Sequence, residues 1–190
     1  MRHALIVAFG LCSCVSFADA ENIEGPSKPV FEKGLAAYDA GDYEKAFRTF
    51  SSIEDDDLAA LRNVAYMLRH GQGTERDPKA AEEKYERAAE AGLPTAQADL
   101  GEMLMNGEAG KPDPVKAAIW LTLAAAAHHP VAEFELGELY ESGSAVAQDF
   151  EHARELYKDA VERGVPGAKE RLAALDATHP PAPALRPAGP

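Results

Sequence analysis

A 36-residue period runs through most of the chain and limits the folds that it can adopt. When the sequence is shifted by 36 residues, similar residues coincide without an insertion from Ala60 to Leu172. The matching sets include Gly71, Gly107 and Gly143; Asp77, Asp113 and Asp149; Ala81, Ala117 and Ala153; Tyr85, Leu121 and Tyr157; and Ala60, Ala96, Ala132 and Ala168. A fixed period of this length is typical of solenoids, in which each unit buries its apolar face against its neighbours.

Each period is predicted to form two helices joined by a turn. The apolar face of the first helix is predicted from residues at helical spacing, namely Ala96, Leu100, Gly101 and Leu104. Gly101 is expected to let the second helix approach closely, and Gly107 to end the first helix in a left-handed conformation. Asp113 precedes a proline and is expected to cap the second helix. The sequence therefore predicts an all-α fold of helix–turn–helix repeats.

The period also predicts the boundaries of the repeats. A divergent first unit with a shorter turn precedes three regular units, and a short capping helix follows them. The predicted ranges are 29–57 for the first unit, 58–94, 95–130 and 131–166 for the regular units, and 167–176 for the capping helix. A flexible lead-in is expected at 21–28, and a disordered tail rich in proline and alanine at 177–190.

The first 20 residues have the pattern of a cleavable signal peptide. Arg2 is followed by an apolar run that is too short to span a bilayer, and a small-residue cleavage site ends at Ala20. Cleavage there predicts a periplasmic or secreted protein and removes both cysteines, Cys12 and Cys14. The alternative is a lipoprotein that is acylated at Cys14.

The charge of the chain restricts its partners. Its 32 acidic and 19 basic residues give a formal net charge of −13 at pH 7. Nucleic acid and anionic membrane surfaces are disfavoured as partners because binding them requires basic patches. No transmembrane segment is expected in the mature chain. A protein partner in the bacterial envelope is the remaining expectation.

The repeat columns resemble the Sel-like repeat family, which belongs to the tetratricopeptide-repeat superfamily. The family pattern is clearest in the last regular unit, at Leu136, Gly137, Tyr140, Gly143, Asp149, Ala153 and Tyr157. The second regular unit matches at Leu100-Gly101, Gly107 and Asp113, whereas the first has Val64-Ala65 in place of the Leu-Gly pair. The resemblance implies a right-handed α-solenoid whose first helices line a concave groove. It also implies an adaptor that binds proteins.

Residues with catalytic or metal-binding potential are few. The adjacent pair His128 and His129 falls at the end of a second helix, where a polar turn residue explains it. The acidic run Glu54 to Asp57 lacks the alternating spacing of a calcium loop, and Asp57 is expected to cap the next helix. Trp120 is interpreted as a half-buried packing residue. We therefore predict no catalytic residue, no metal site and no cofactor.

The first helices present a second face once their packing columns are removed. In the three regular units this face consists of Arg62, Tyr66 and Arg69; Ala98, Glu102 and Met105; and Phe134, Glu138 and Glu141. These nine residues are candidates for binding a protein segment in the groove, because aromatic and apolar residues there have no role on a solvated surface. Packing against neighbouring first helices is the equally weighted alternative.

The sequence therefore predicts an adaptor or regulator that binds a protein segment and is not an enzyme. Two alternatives remain. One is an enzyme that acts on cell-wall or β-lactam substrates, an activity that has been discussed for some members of the family that the chain resembles. The other is a structural lipoprotein of an envelope assembly.

Overall fold

A computed structural model of the chain describes residues 27–181, and within this range the chain forms helices and no strands. The predicted all-α fold of tandem helical repeats is confirmed. The helices are α1 (Lys28–Asp39), α2 (Tyr43–Ser51), α3 (Leu58–His70), α4 (Pro78–Glu90), α5 (Pro94–Asn106), α6 (Pro114–Ala126), α7 (Pro130–Ser142), α8 (Phe150–Glu162) and α9 (Ala168–Thr178). The predicted signal peptide, most of the lead-in and the last residues of the tail lie outside the described residues.

The chain divides into two compact units, the first ending at Ala91 and the second beginning at Gly92. The first unit contains the helix pairs α1–α2 and α3–α4. The second unit contains the pairs α5–α6 and α7–α8, followed by α9. The helices of each pair pack directly against one another.

The predicted turn residues begin and end the helices of the regular repeats. Asp77, Asp113 and Asp149 each accept a hydrogen bond, at 3.0 Å, from a backbone N–H in the first turn of the following helix. The helix ahead of each turn ends at a glycine with a φ of 64–68°, which an L side chain adopts only with strain. The backbone N–H of each capping aspartate also donates back to the first helix of its pair, at 2.9 Å.

Close contact within each pair depends on a small residue of the first helix. A Cβ atom added to Gly101 would lie 2.7 Å from Leu121, and one added to Gly137 would lie 2.7 Å from the Tyr157 ring. The alanine and aromatic columns of the period are buried, as the interiors of close-packed helix pairs require. The sequence prediction for Gly101 is therefore confirmed.

The ends of the described range differ from the predicted boundaries. Helix α1 begins at Lys28, inside the predicted lead-in, and α9 extends to Thr178, inside the predicted tail. Leu175 is buried against α8, and the Thr178 hydroxyl donates to the Ala174 carbonyl at 3.0 Å. These contacts extend α9 beyond the point at which the alanine- and proline-rich composition suggested disorder.

Candidate functional site

The nine residues of the predicted groove face fall in both units, so the two groups are described separately. In the first unit, Arg62, Tyr66 and Arg69 lie on α3. The Arg62 guanidinium carbon lies 5.7 Å from the centre of the Tyr66 ring, and that ring packs against His70 at 4.2 Å. Arg62 is only 4% exposed and Arg69 only 6% exposed. Packing therefore covers both arginine side chains, and a role of these residues in binding stays a prediction.

In the second unit, two of the six candidates serve in packing. Ala98 is buried in the apolar cluster that includes Leu121 and Leu136. Phe134 is half-buried, and its ring lies 5.6 Å from that of Tyr157. Periodicity places both side chains on the groove face, but packing within the unit covers them. The packing alternative is favoured for these two positions.

Three other candidates meet in one pocket of about 300 Å³ in the second unit. Glu102 and Met105 reach it from α5, and Glu138 reaches it from α7. The pocket is lined by α5 and α7, by Leu121 of α6, by Ser144 in the turn after α7, and by Arg171 of α9. Its lining residues are Glu102, Met105, Asn106, Leu121, Glu135, Glu138, Leu139, Ser142, Ser144 and Arg171.

Glu141 supports the pocket through Arg171. Its Oε2 atom accepts a hydrogen bond from the Tyr157 hydroxyl at 2.7 Å and another from Arg171 Nε at 2.9 Å. Burial, together with the hydrogen bond to Glu141, raises the pKa of Tyr157. The phenol therefore stays protonated as a donor, and Arg171 is held at the pocket by an ion pair.

Burial also acts on Glu138. Partial removal from water raises the pKa of its carboxyl above the ordinary value of 4.5, and the nearby charge of Glu141 acts in the same direction. The positive charge of Arg171 lowers this pKa and offsets part of the shift. The charged form of Glu138 is thus less well solvated than that of an exposed glutamate, so an added cation would stabilise it.

The pocket combines features that suit a long basic side chain. The partly exposed Met105, together with the buried Leu121 and Leu139, provides an apolar lining for an aliphatic stem, and Glu102, Glu135 and Glu138 provide carboxylates for its charged end. Among the lining residues, three carboxylates thus accompany one cation, Arg171.

Sequence reasoning missed Glu135 and Arg171. Both occupy one column of the 36-residue register, the position after the column of Ala98 and Phe134. Continuing the register from α7 into α9 would have located Arg171. The prediction stopped at the regular repeats and treated α9 only as a cap.

The other singled-out residues have structural roles. His128 has a φ of 60°, and its column is otherwise occupied by Gly92 and Gly164, which also have positive φ values. Asp57 accepts a hydrogen bond from the Ala60 N–H at 3.0 Å, as predicted for a helix cap. Within residues 27–181, no group of three or more His, Cys, Asp or Glu side chains is arranged to hold a metal ion. Nor does that range contain a helix with the length and apolar composition of a membrane span.

Comparison with known proteins identifies the repeats. The Sel1 repeat model matches residues 58–93, 94–129 and 130–165, which together make up more than half of the chain. The chain belongs to the Sel1 repeat family. Sel1 repeat proteins are generally scaffolds for protein interactions and are typically not enzymes. The pair α1–α2 precedes the matched repeats, in line with its shorter turn.

Solved structures show the same fold. A Sel1 repeat protein from Oxalobacter formigenes is 32% identical over 78% of this chain and 61% of its own, with a TM-score of 0.73. The protein c5321, a protective antigen in uropathogenic Escherichia coli strains, is 25% identical over 82% of this chain and 34% of its own, with a TM-score of 0.75. The immunity protein Pa5087 from Pseudomonas aeruginosa is 22% identical over 87% of this chain and 64% of its own, with a TM-score of 0.59, and shows the fold alone. This chain thus spans less than two thirds of each of these structures, and no curated protein sequence matches it.

Proposed function

We propose that this Sel1 repeat protein is an exported adaptor that binds a segment of another envelope protein through the second unit. The pocket lined by α5, α7 and α9 receives a lysine or arginine side chain of that segment. The observation that carries the proposal is that three carboxylates from the first helices α5 and α7 line one pocket together with apolar residues. Export rests on the sequence pattern of residues 1–20.

The charge of the pocket favours a basic segment over an acidic one. The pocket lining holds three carboxylates, those of Glu102, Glu135 and Glu138, and one cation, Arg171, which is also paired with Glu141. A lysine or arginine would also improve the environment of the partly desolvated Glu138. The net charge of −13 adds long-range attraction for a basic segment.

Short synthetic peptides test this proposal. An acetylated and amidated Ala-Ala-Lys-Ala-Ala peptide is compared with versions that carry norleucine or glutamate at the central position. We expect binding in the order lysine, norleucine, glutamate, measured as chemical shift changes of the pocket residues during a titration. Added salt is expected to weaken only the lysine peptide, because ions screen its attraction to the carboxylates.

Matched variants locate the binding. Glu138→Gln keeps the shape of the side chain and removes its charge, so it is expected to raise the Kd of the lysine peptide by about tenfold. Glu162→Gln removes one exposed charge on α8, outside the pocket, and is expected to leave the Kd unchanged. Equal affinities for the lysine and norleucine peptides would contradict the proposal.

The same carboxylates favour one second candidate, an enzyme that cleaves cell-wall glycans. The sequence analysis predicted no catalytic residue, whereas Glu102, Glu135 and Glu138 all line one pocket. A glutamate with a raised pKa beside other carboxylates is a feature of glycan-cleaving sites. Release of reducing ends from peptidoglycan by the wild type but not by Glu138→Gln would favour this candidate over the adaptor.

A further inference from the structure

Helix α6 exposes a stripe of large apolar side chains. Val115, Ile119 and Leu123 are 60%, 58% and 46% exposed, and they lie four residues apart along the helix. Six large apolar side chains are exposed among the described residues, and this stripe contains half of them. Residues with this spacing share one face of a helix, so the three side chains form a continuous strip.

The repeat itself shows that folding does not require this stripe. The equivalent positions, 36 residues earlier and later, belong to α4 and α8. They carry charged residues in both helices: Lys79, Glu83 and Arg87 in α4, and Glu151, Glu155 and Asp159 in α8. The same fold position is therefore built with charged side chains in the two sister helices.

The opposite face of α6 already serves the core. Ala117, Leu121 and Ala124 are fully buried there. Because successive residues turn by about 100° around a helix, Ile119 lies roughly opposite Leu121. The stripe thus faces away from both the core and the groove pocket, whose lining includes Leu121.

We propose that the stripe of Val115, Ile119 and Leu123 docks one amphipathic helix of a partner protein, with basic residues beside its apolar face. The size of the stripe supports a single helix. A strip about 12 Å long and about 10 Å wide covers only about 120 Å², whereas a stable dimer interface buries about 800 Å² on each partner. The net charge of −13 also opposes a second copy of this chain.

The charges of α6 and α8 favour basic residues beside the apolar face of the docking helix. Lys116 is the only charged residue between Pro114 and Ala126, and the next second helix, α8, is acidic at the equivalent positions. A partner helix with lysine or arginine beside its apolar residues therefore meets a neutral stripe on α6 and carboxylates at the equivalent positions of α8. A helix with acidic flanks would be repelled.

Trp120 provides a direct reporter. It is the only tryptophan of the chain, it is half-buried, and it is adjacent to Ile119 on α6. The probe is an amphipathic Leu/Lys peptide of about 18 residues, long enough for about five helical turns and free of aromatic residues. The control peptide has glutamate in place of every lysine and keeps the leucine face.

We expect the Leu/Lys peptide to shift the Trp120 emission to shorter wavelength in a saturable manner, and the Leu/Glu peptide to leave it unchanged. The test variant combines Val115→Lys, Ile119→Glu and Leu123→Arg, which are the residues that α4 carries at these positions. Its Kd for the Leu/Lys peptide is expected to rise at least about tenfold, because charged side chains would replace the apolar contact. Circular dichroism checks that its helicity matches the wild type.

Two further variants separate this surface from others. Val131→Lys changes an exposed apolar residue on α7, outside the stripe, and is expected to keep wild-type affinity. Glu162→Gln removes an exposed charge on α8, outside both the pocket and the stripe, and is also expected to keep the Trp120 response. A loss of this response in Glu138→Gln but not in the triple variant would place the peptide in the pocket and overturn the proposal.

Two other occupants of the stripe, a second copy of this chain or a membrane surface, would give different results. A wild-type dimer in sedimentation velocity that dissociates in the triple variant would assign the stripe to a second copy. Binding to phosphatidylglycerol vesicles that the triple variant loses would assign it to a membrane surface. Either result overturns the proposal of a protein helix.

Discussion

Glu138 connects the pocket to the pH dependence of stability. Its folded-state pKa is raised, mainly by burial, so the folded chain binds a proton more tightly at this site than the unfolded chain does. Burying the ionised carboxylate of Glu138 lowers the free energy of unfolding. This loss of stability is absent at pH values below the ordinary pKa of 4.5, where the carboxyl is protonated in both states. It grows as the pH rises through the window between that value and the raised folded pKa, and it is fully present above that window.

We therefore predict that Glu138→Gln gains stability relative to the wild type as the pH rises. Urea unfolding of both proteins near pH 4 and near pH 7 measures the difference in free energy of unfolding. Glu162→Gln, which removes an exposed carboxylate of the same unit, provides the correction for one lost charge. An identical stability difference at the two pH values would show that Glu138 is not desolvated.

Single residues also show the limit of sequence reasoning. Gly101 was predictable because its column contains only small residues, and a Cβ there would overlap Leu121. Phe134 was not, because its partner Tyr157 lies on another helix and periodicity describes one helix at a time. Arg62 and Arg69 were candidates for the groove face, and both are buried. The long arginine stem can be covered without a change in the hydrophobic pattern.

Helix boundaries were the most predictable feature at the level of elements. The Asp-Pro start at α4 and α6 and the glycine after each first helix are local signals, because each satisfies backbone groups at a helix end. The hydrogen bond from the Asp113 N–H to the Leu104 carbonyl, at 2.9 Å, was not predictable. It joins two helices through backbone groups, and these groups are the same whatever the side chain, so the sequence does not indicate which of them pair.

The cap of α6 gives a prediction at this scale. Asp113→Ala removes the side-chain acceptor of the Lys116 N–H and is expected to lower the free energy of unfolding by about 0.5–2 kcal/mol. Asp113→Asn keeps an acceptor oxygen and is expected to stay close to the wild type. Urea unfolding of the three proteins makes the comparison. Equal losses in the alanine and asparagine variants would mean that the charge of Asp113, rather than its hydrogen bond, stabilises the helix.

For the whole molecule, the repeat predicts the fold but not the division of the chain into units. The 36-residue register crosses the boundary between Ala91 and Gly92 without a break, although the chain divides there into two units. Repeat columns record the packing that every repeat shares, so they do not show where the chain divides into units. Residues that differ between repeats do not appear in these columns. The apolar stripe of α6 was found only because α4 and α8 carry charged residues at the equivalent positions.

Export is the last property of the whole molecule to be tested. Cleavage after Ala20 would leave a mature chain that begins at Glu21 and contains no cysteine, since Cys12 and Cys14 both precede the cleavage site. Such a chain would need no disulfide in an oxidising compartment, because its helix pairs are held by apolar packing. We predict that the protein recovered from a bacterial periplasmic fraction has the mass of residues 21–190 and does not react with a thiol reagent. An N-terminal peptide that carries a lipid on Cys14 would instead identify a lipoprotein, and a full-length mass with two free thiols would show that the chain is not exported.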